Sequence, residues 1–145
     1  MKGHLNARFL IVAVVLAVIL FVADCAFHAL AVPDMYAGYP QRSQAGIGAL
    51  FPFLFLTYLV QIPMFLLMFL YIYPERGMGN AVWWGIWGGL FVVLPNMQFF
   101  VAIEGTTWTI LIAQCIEAIV LLIIAGVLFE LAYRPKAAQP VAQAA

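Results

Sequence analysis

Charge is what this chain has least of. Only 8% of its 145 residues are Asp, Glu, Lys or Arg, where a soluble globular domain carries about 25%. With 67% of the residues hydrophobic, there is too little polar surface to cover a particle in water. Six basic and six acidic residues cancel to zero net charge, and no basic block is interleaved with aromatics, which sets nucleic acid aside as a partner. Cysteine is almost missing: Cys25 and Cys115 stand far apart, and neither has a neighbouring ligand at zinc-finger spacing. Phosphate-binding loops, dinucleotide fingerprints, H-E-x-x-H and C-x-x-C are absent as well. The common nucleotide, zinc-protease and thiol-redox chemistries therefore lack their motifs, and the identity of any metal or cofactor stays unknown.

What the chain has in abundance is apolar runs of bilayer length, about 20 residues each. Four spans are expected, at residues 9–32, 47–73, 81–103 and 108–133. The basic start and the small residues Ala29-Leu30-Ala31 invite comparison with a cleaved leader, but the first run is read as a span. Short connections predict an all-α membrane protein, an antiparallel four-helix transmembrane bundle occupying residues 1–134, with 135–145 as a flexible Ala/Gln/Pro tail. The second span is long and contains Pro52 and Pro63, so a tilt or a kink is expected near Pro63. Lys2, Arg8, Arg76, Arg134 and Lys136 fall on one side and Arg42 on the other, which predicts that both termini are cytoplasmic. Interfacial aromatics agree, with Tyr71, Tyr73, Trp83, Trp84 and Tyr133 at the inner boundary and Tyr36, Tyr39 and Trp108 at the outer one.

Depth counting gathers the polar residues into the outer half of the spans. Asp24 and His28 lie on the first helix, Thr57 on the second, Asn96, Gln98 and Glu104 on the third, and Gln114 and Glu117 on the fourth. An ionisable group at the bilayer centre costs about 2.5–3.5 kcal/mol on insertion scales, so this clustering implies a polar pocket or a hydrogen-bonded layer. Asp24 and His28 are four apart and share a helix face. They form either a structural pair or part of a proton, metal or ligand site, and a metal would need Glu104 or Glu117 to join them. Glu117, near mid-span, is either a neutral carboxyl hydrogen-bonded within the bundle or a proton or cation site. Glu130 and Arg134, also four apart, read as a solvated pair at the inner edge. Cys25 and Cys115 share a depth, which suits small core residues and leaves a disulfide as the alternative.

Three glycines, Gly85, Gly88 and Gly89, form a small-residue strip in "WWGIWGGLF" that permits close helix approach within the chain or against another subunit. The first loop, with Tyr36, Tyr39 and Arg42, is the largest exposed segment and a recognition candidate.

The run "DCAFHALAVPDMY", followed by Arg42 and set among four spans, resembles uncharacterised small four-span bacterial inner-membrane proteins. In these the first helix ends in an Asp, an aromatic–His pair and, eight residues after the His, a Tyr; here they are Asp24, Phe27, His28 and Tyr36. The resemblance implies the bacterial inner membrane and the four-span layout, and it implies no activity. The chain does not resemble the four-span quinone-linked thiol oxidoreductases, which have a C-x-x-C, nor the small multidrug exporters, whose essential glutamate lies in the first span.

No complete catalytic constellation is present, so the leading expectation is a non-enzymatic accessory or interaction subunit, embedded in the lipid bilayer with a membrane-protein partner or a second copy of itself. The alternative is a small proton- or metal-coupled carrier using the outer-half pocket. An enzyme would need chemistry supplied by a bound quinone, haem or lipid.

Overall fold

The computed structural model describes residues 6–33, 43–102 and 107–133. They form α1 (Ala7–Ala26), α2 (Gln44–Ile72), α3 (Met78–Val93), α4 (Asn96–Ala102) and α5 (Trp108–Ala132), with no strand among the described residues. Among the described residues, four helical stretches are long and apolar enough to cross a membrane: Ala7–Ala31, Ala45–Ile72, Met78–Gln98 and Trp108–Ala132.

Polar caps start the long helices where the apolar runs begin. Asn6 Oδ1 accepts from Phe9 N at 2.9 Å, Ser43 Oγ from Gly46 N at 3.1 Å, and Thr107 Oγ1 from Ile110 N at 3.4 Å, each satisfying one otherwise orphaned donor. α1 ends by loosening into a π-helical turn, Phe27–Ala31, closed by Val32 N donating to Phe27 O at 3.2 Å. Such turns disturb the regular helix locally and often lie at functional sites. α2 runs as one helix through both Pro52 and Pro63. Arg76, at φ 54°, and Gly77, at φ 121°, reverse the chain into α3.

The third span, expected over residues 81–103, is made of two helices. It breaks at Leu94–Pro95 between α3 and α4. Proline has no N–H to return to the carbonyl one turn earlier, and the chain tightens there, with Met97 N reaching Leu94 O at 3.1 Å and Gln98 N reaching Pro95 O at 3.2 Å.

The core is one narrow seam. Phe9, Ala13, Leu16, Ala17 and Leu20 of α1 recur at helical spacing and bury against Ile62, Leu66, Phe69 and Leu70 of α2 and Leu122, Ala125 and Phe129 of α5. Only 22–28% of the most apolar window in each span is buried inside the chain. The outward remainder includes Ile11, Phe53, Met64, Trp87, Phe91 and Ile116, a covering suited to lipid rather than water.

In lipid, close packing and polar contacts must replace the hydrophobic drive between helices. α3 meets α5 through glycine: a Cβ on Gly85 would run into the backbone of Ile123, and one on Gly89 would come within 2.5 Å of Ile119 Cα. Gly126 of α5 returns the fit, with Ala81 O 2.6 Å from where its Cβ would stand. Gly88 makes room for the Phe65 ring of α2. That ring stacks on Trp84 at 5.3 Å between centroids, while Trp84 Nε1 donates to Phe65 O at 3.0 Å.

Candidate functional site

α1 and α5 bring three ionisable groups together. His28 Nε2 lies 3.6 Å from Asp24 Oδ1 on its own helix and 3.4 Å from Glu117 Oε2 on α5. One ligand atom from each of the three falls within 4.8 Å of the others. Asp24 belongs to the last regular turn of α1 and His28 to the π-helical turn that follows. Their spacing of four places both over the same strip of α5, where Glu117 projects.

Burial grades across the group. The Glu117 side chain is 7% exposed, Asp24 15% and His28 33%, so the imidazole occupies the accessible edge and Glu117 the deep one. Glu117 Oε1 is buried and has no hydrogen-bond partner among the described residues. Tyr58 of α2 and Glu117 of α5 both lie within hydrogen-bonding reach of Asp24, so a third helix joins the site.

Two carboxylates face one imidazole, so even a protonated His28 leaves the trio with net negative charge when both acids are ionised. In surroundings this apolar, uncompensated charge is costly. Chemically, the arrangement can take an added cation, either protons on the trio or a metal ion between its members. Both His28 separations also exceed the span of about 2.7–3.2 Å of a good N–H···O hydrogen bond, so the imidazole is not tightly paired with either acid.

The other expected polar residues fare differently. Gln114, three residues before Glu117, is half-buried on α5, and Asn96 is half-buried at the start of α4. Gln98 is exposed. Thr57 turns away, its Oγ1 donating to Leu54 O of its own helix at 2.6 Å, and the neighbouring Tyr58 supplies the α2 contact instead. Glu104, Tyr36, Tyr39 and Arg42 lie outside the described residues, as do Arg134 and the tail. Cys25 and Cys115 are free thiols, both half-buried. Gly85 and Gly89 back onto α5, and Gly88 backs onto Phe65.

Glu130 requires a correction. It is not half of a solvated pair at the inner edge: it is 3% exposed and bound by Arg76, whose Nε and Nη2 each stand 2.9 Å from Oε2. Arg76 Nη1 also donates to Tyr133 O at 2.8 Å, and its guanidinium lies over the rings of Phe129 and Tyr133. From α1, Arg8 Nη2 donates to Ala132 O at 2.8 Å and Asn6 Nδ2 to the Tyr133 hydroxyl at 2.9 Å. Two arginines thus cap the carbonyls that end α5, a favourable position for cations. Helical spacing pointed to Arg134 as the partner because Arg76 is 54 residues away in sequence.

No family model, curated protein or solved structure matches the chain.

Proposed function

We propose that the protein is a small integral-membrane carrier whose outer-half acid–imidazole pocket binds and exchanges a cation. The observation that carries this reading is the meeting of Asp24 and His28 with Glu117 from a different span, with Glu117 deeply buried and one of its oxygens unpartnered. The glycine strip, one motive for expecting an accessory subunit, is filled by α5 and Phe65 of the same chain.

The same proposal includes the disposition of the spans. Successive spans alternate in direction, both termini are cytoplasmic, and the pocket faces the far side of a bacterial inner membrane. In support, the start of α1 contacts the end of α5 through Arg8 and Asn6, while the end of α1 meets Glu117. The basic residues gather at the side of the termini.

Proteoliposomes holding a pH-sensitive or a metal-sensitive dye test the carrier. The wild-type chain should accelerate entry of protons or divalent ions at least about tenfold over empty vesicles, and Glu117→Gln should return the rate to the empty-vesicle level. Wild-type rates equal to empty vesicles with both dyes would remove the carrier reading.

A further inference from the structure

We infer that the cation at Asp24, His28 and Glu117 is a divalent first-row transition metal of the zinc class, held by three side chains with a fourth position open, an assignment that rests on the carrier reading and specifies its cargo. Distance, charge and donor type support it separately.

Zinc binds nitrogen and oxygen ligands at about 2.0–2.2 Å in tetrahedral geometry, which places neighbouring ligand atoms about 3.3–3.6 Å apart. His28 Nε2 is 3.4 Å from Glu117 Oε2 and 3.6 Å from Asp24 Oδ1. These separations are long for hydrogen bonds and right for two edges of a metal tetrahedron. A single imidazole nitrogen directed at two carboxylates from two helices is also poor hydrogen-bond economy, since a neutral ring nitrogen has one proton to give. For a metal it is ordinary, because all three atoms point at one ion.

Charge selects the valence. Two carboxylates and a neutral imidazole neutralise a divalent ion, leaving no net charge to bury among apolar side chains; a monovalent ion would leave one negative charge behind. The nitrogen donor then selects within the divalent ions, since imidazole suits zinc, iron and nickel, whereas magnesium and calcium take oxygen. Glu117 Oε1, buried and without a hydrogen-bond partner on a side chain 7% exposed, is an unsatisfied acceptor at the deep edge of the same pocket. Tyr58 hydrogen-bonds Asp24 from α2 and orients that ligand, the usual task of a group one layer out from a metal. Three protein ligands leave a coordination position for water or for an exchanging ligand, as an ion that must come and go requires.

The test uses the full chain purified in detergent and stripped with chelator. Titration with Zn2+ should show one ion per chain at micromolar affinity or tighter. Co2+ in its place should develop the intense visible bands of a four-coordinate ion. Asp24→Asn, His28→Ala and Glu117→Gln should each weaken Zn2+ binding at least thirtyfold, Tyr58→Phe about tenfold, and Glu75→Gln, an exposed carboxylate elsewhere, not at all. Glu117→Asp, which keeps the carboxylate and its charge, should recover part of the binding lost in Glu117→Gln and distinguishes lost ligation from lost folding. Absence of stoichiometric Zn2+ binding by the folded wild-type chain overturns the assignment, as does binding that survives all three ligand variants. Proton entry into vesicles without Zn2+ binding would overturn the metal and uphold the carrier. Zn2+ binding without any flux would uphold the site and overturn carriage.

Discussion

Arg76 and Glu130 show what a buried charge needs in order to persist in an apolar bundle. The guanidinium donates from Nε to the carboxylate and from Nη1 to the Tyr133 carbonyl, holds Nη2 2.9 Å from the same carboxylate oxygen, and has aromatic rings against its face. Removing the acid alone strands a cation that is nearly enclosed, and breaking such a pair costs about 3–5 kcal/mol. Glu130→Ala should therefore lower the thermal unfolding midpoint in detergent by far more than a surface substitution does. The double replacement Arg76→Met with Glu130→Leu should recover most of that loss, because it leaves no unpaired charge. The partnership was invisible to helical spacing, which finds pairs three or four residues apart and cannot see a contact made through a turn. Tyr58 was missed for a related reason. Thr57 and Tyr58 are adjacent and both polar-tipped, and only the packed helix decides which one faces Asp24 and which bonds its own backbone.

At the scale of elements, the four apolar stretches were plain in the sequence because bilayer thickness dictates a run length that few other structures need. The break at Leu94–Pro95 was less so: proline can be tolerated inside a helix, as Pro52 and Pro63 are in α2, and pattern alone does not say which of the three will end one. The glycine strip was legible as a close-approach surface but not as to its partner. α5 proves to be that partner, with its Ile119 and Ile123 backbone standing where side chains on Gly89 and Gly85 would be. Gly89→Val should force α3 away from α5 and destabilise by about 3 kcal/mol, at or above the upper end of ordinary overpacking, since backbone cannot rotate aside as a side chain can. Gly79→Ala, on the same helix with open space around it, should be neutral or stabilise by up to about 1 kcal/mol through helix propensity. Thermal melts of the two variants, together with crosslinking between cysteines introduced on α3 and α5, would measure the difference; equal behaviour would mean that the strip is not the contact.

At the scale of the molecule, the ionic contacts among the described residues collect at two ends with different characters. At one, Arg8, Arg76, Glu130 and Tyr133 clasp three elements with contacts of 2.8–2.9 Å. At the other, His28 stands 3.4–3.6 Å from Asp24 and Glu117, and the two acids face each other within hydrogen-bonding reach. The polar residues were legible as a set of depths, and the candidate trio can be assembled from them, but only the packing of α1 on α5 singles out Glu117 as the residue His28 reaches. A site that stores unfavourable charge for function should be a place where removing charge strengthens the fold. Asp24→Asn combined with Glu117→Gln should thus leave the unfolding midpoint in metal-free detergent unchanged or raise it, by about 1 kcal/mol in stability. The same pair should abolish the stabilisation that zinc gives the wild type, which linkage sets at about 2.7 kcal/mol when the ion is at a hundred times its dissociation constant. A double variant that melts as early as Glu130→Ala would show that both ends only hold the bundle together, whereas opposite responses place stability at the arginine clasp and ion binding at the acid–imidazole pocket.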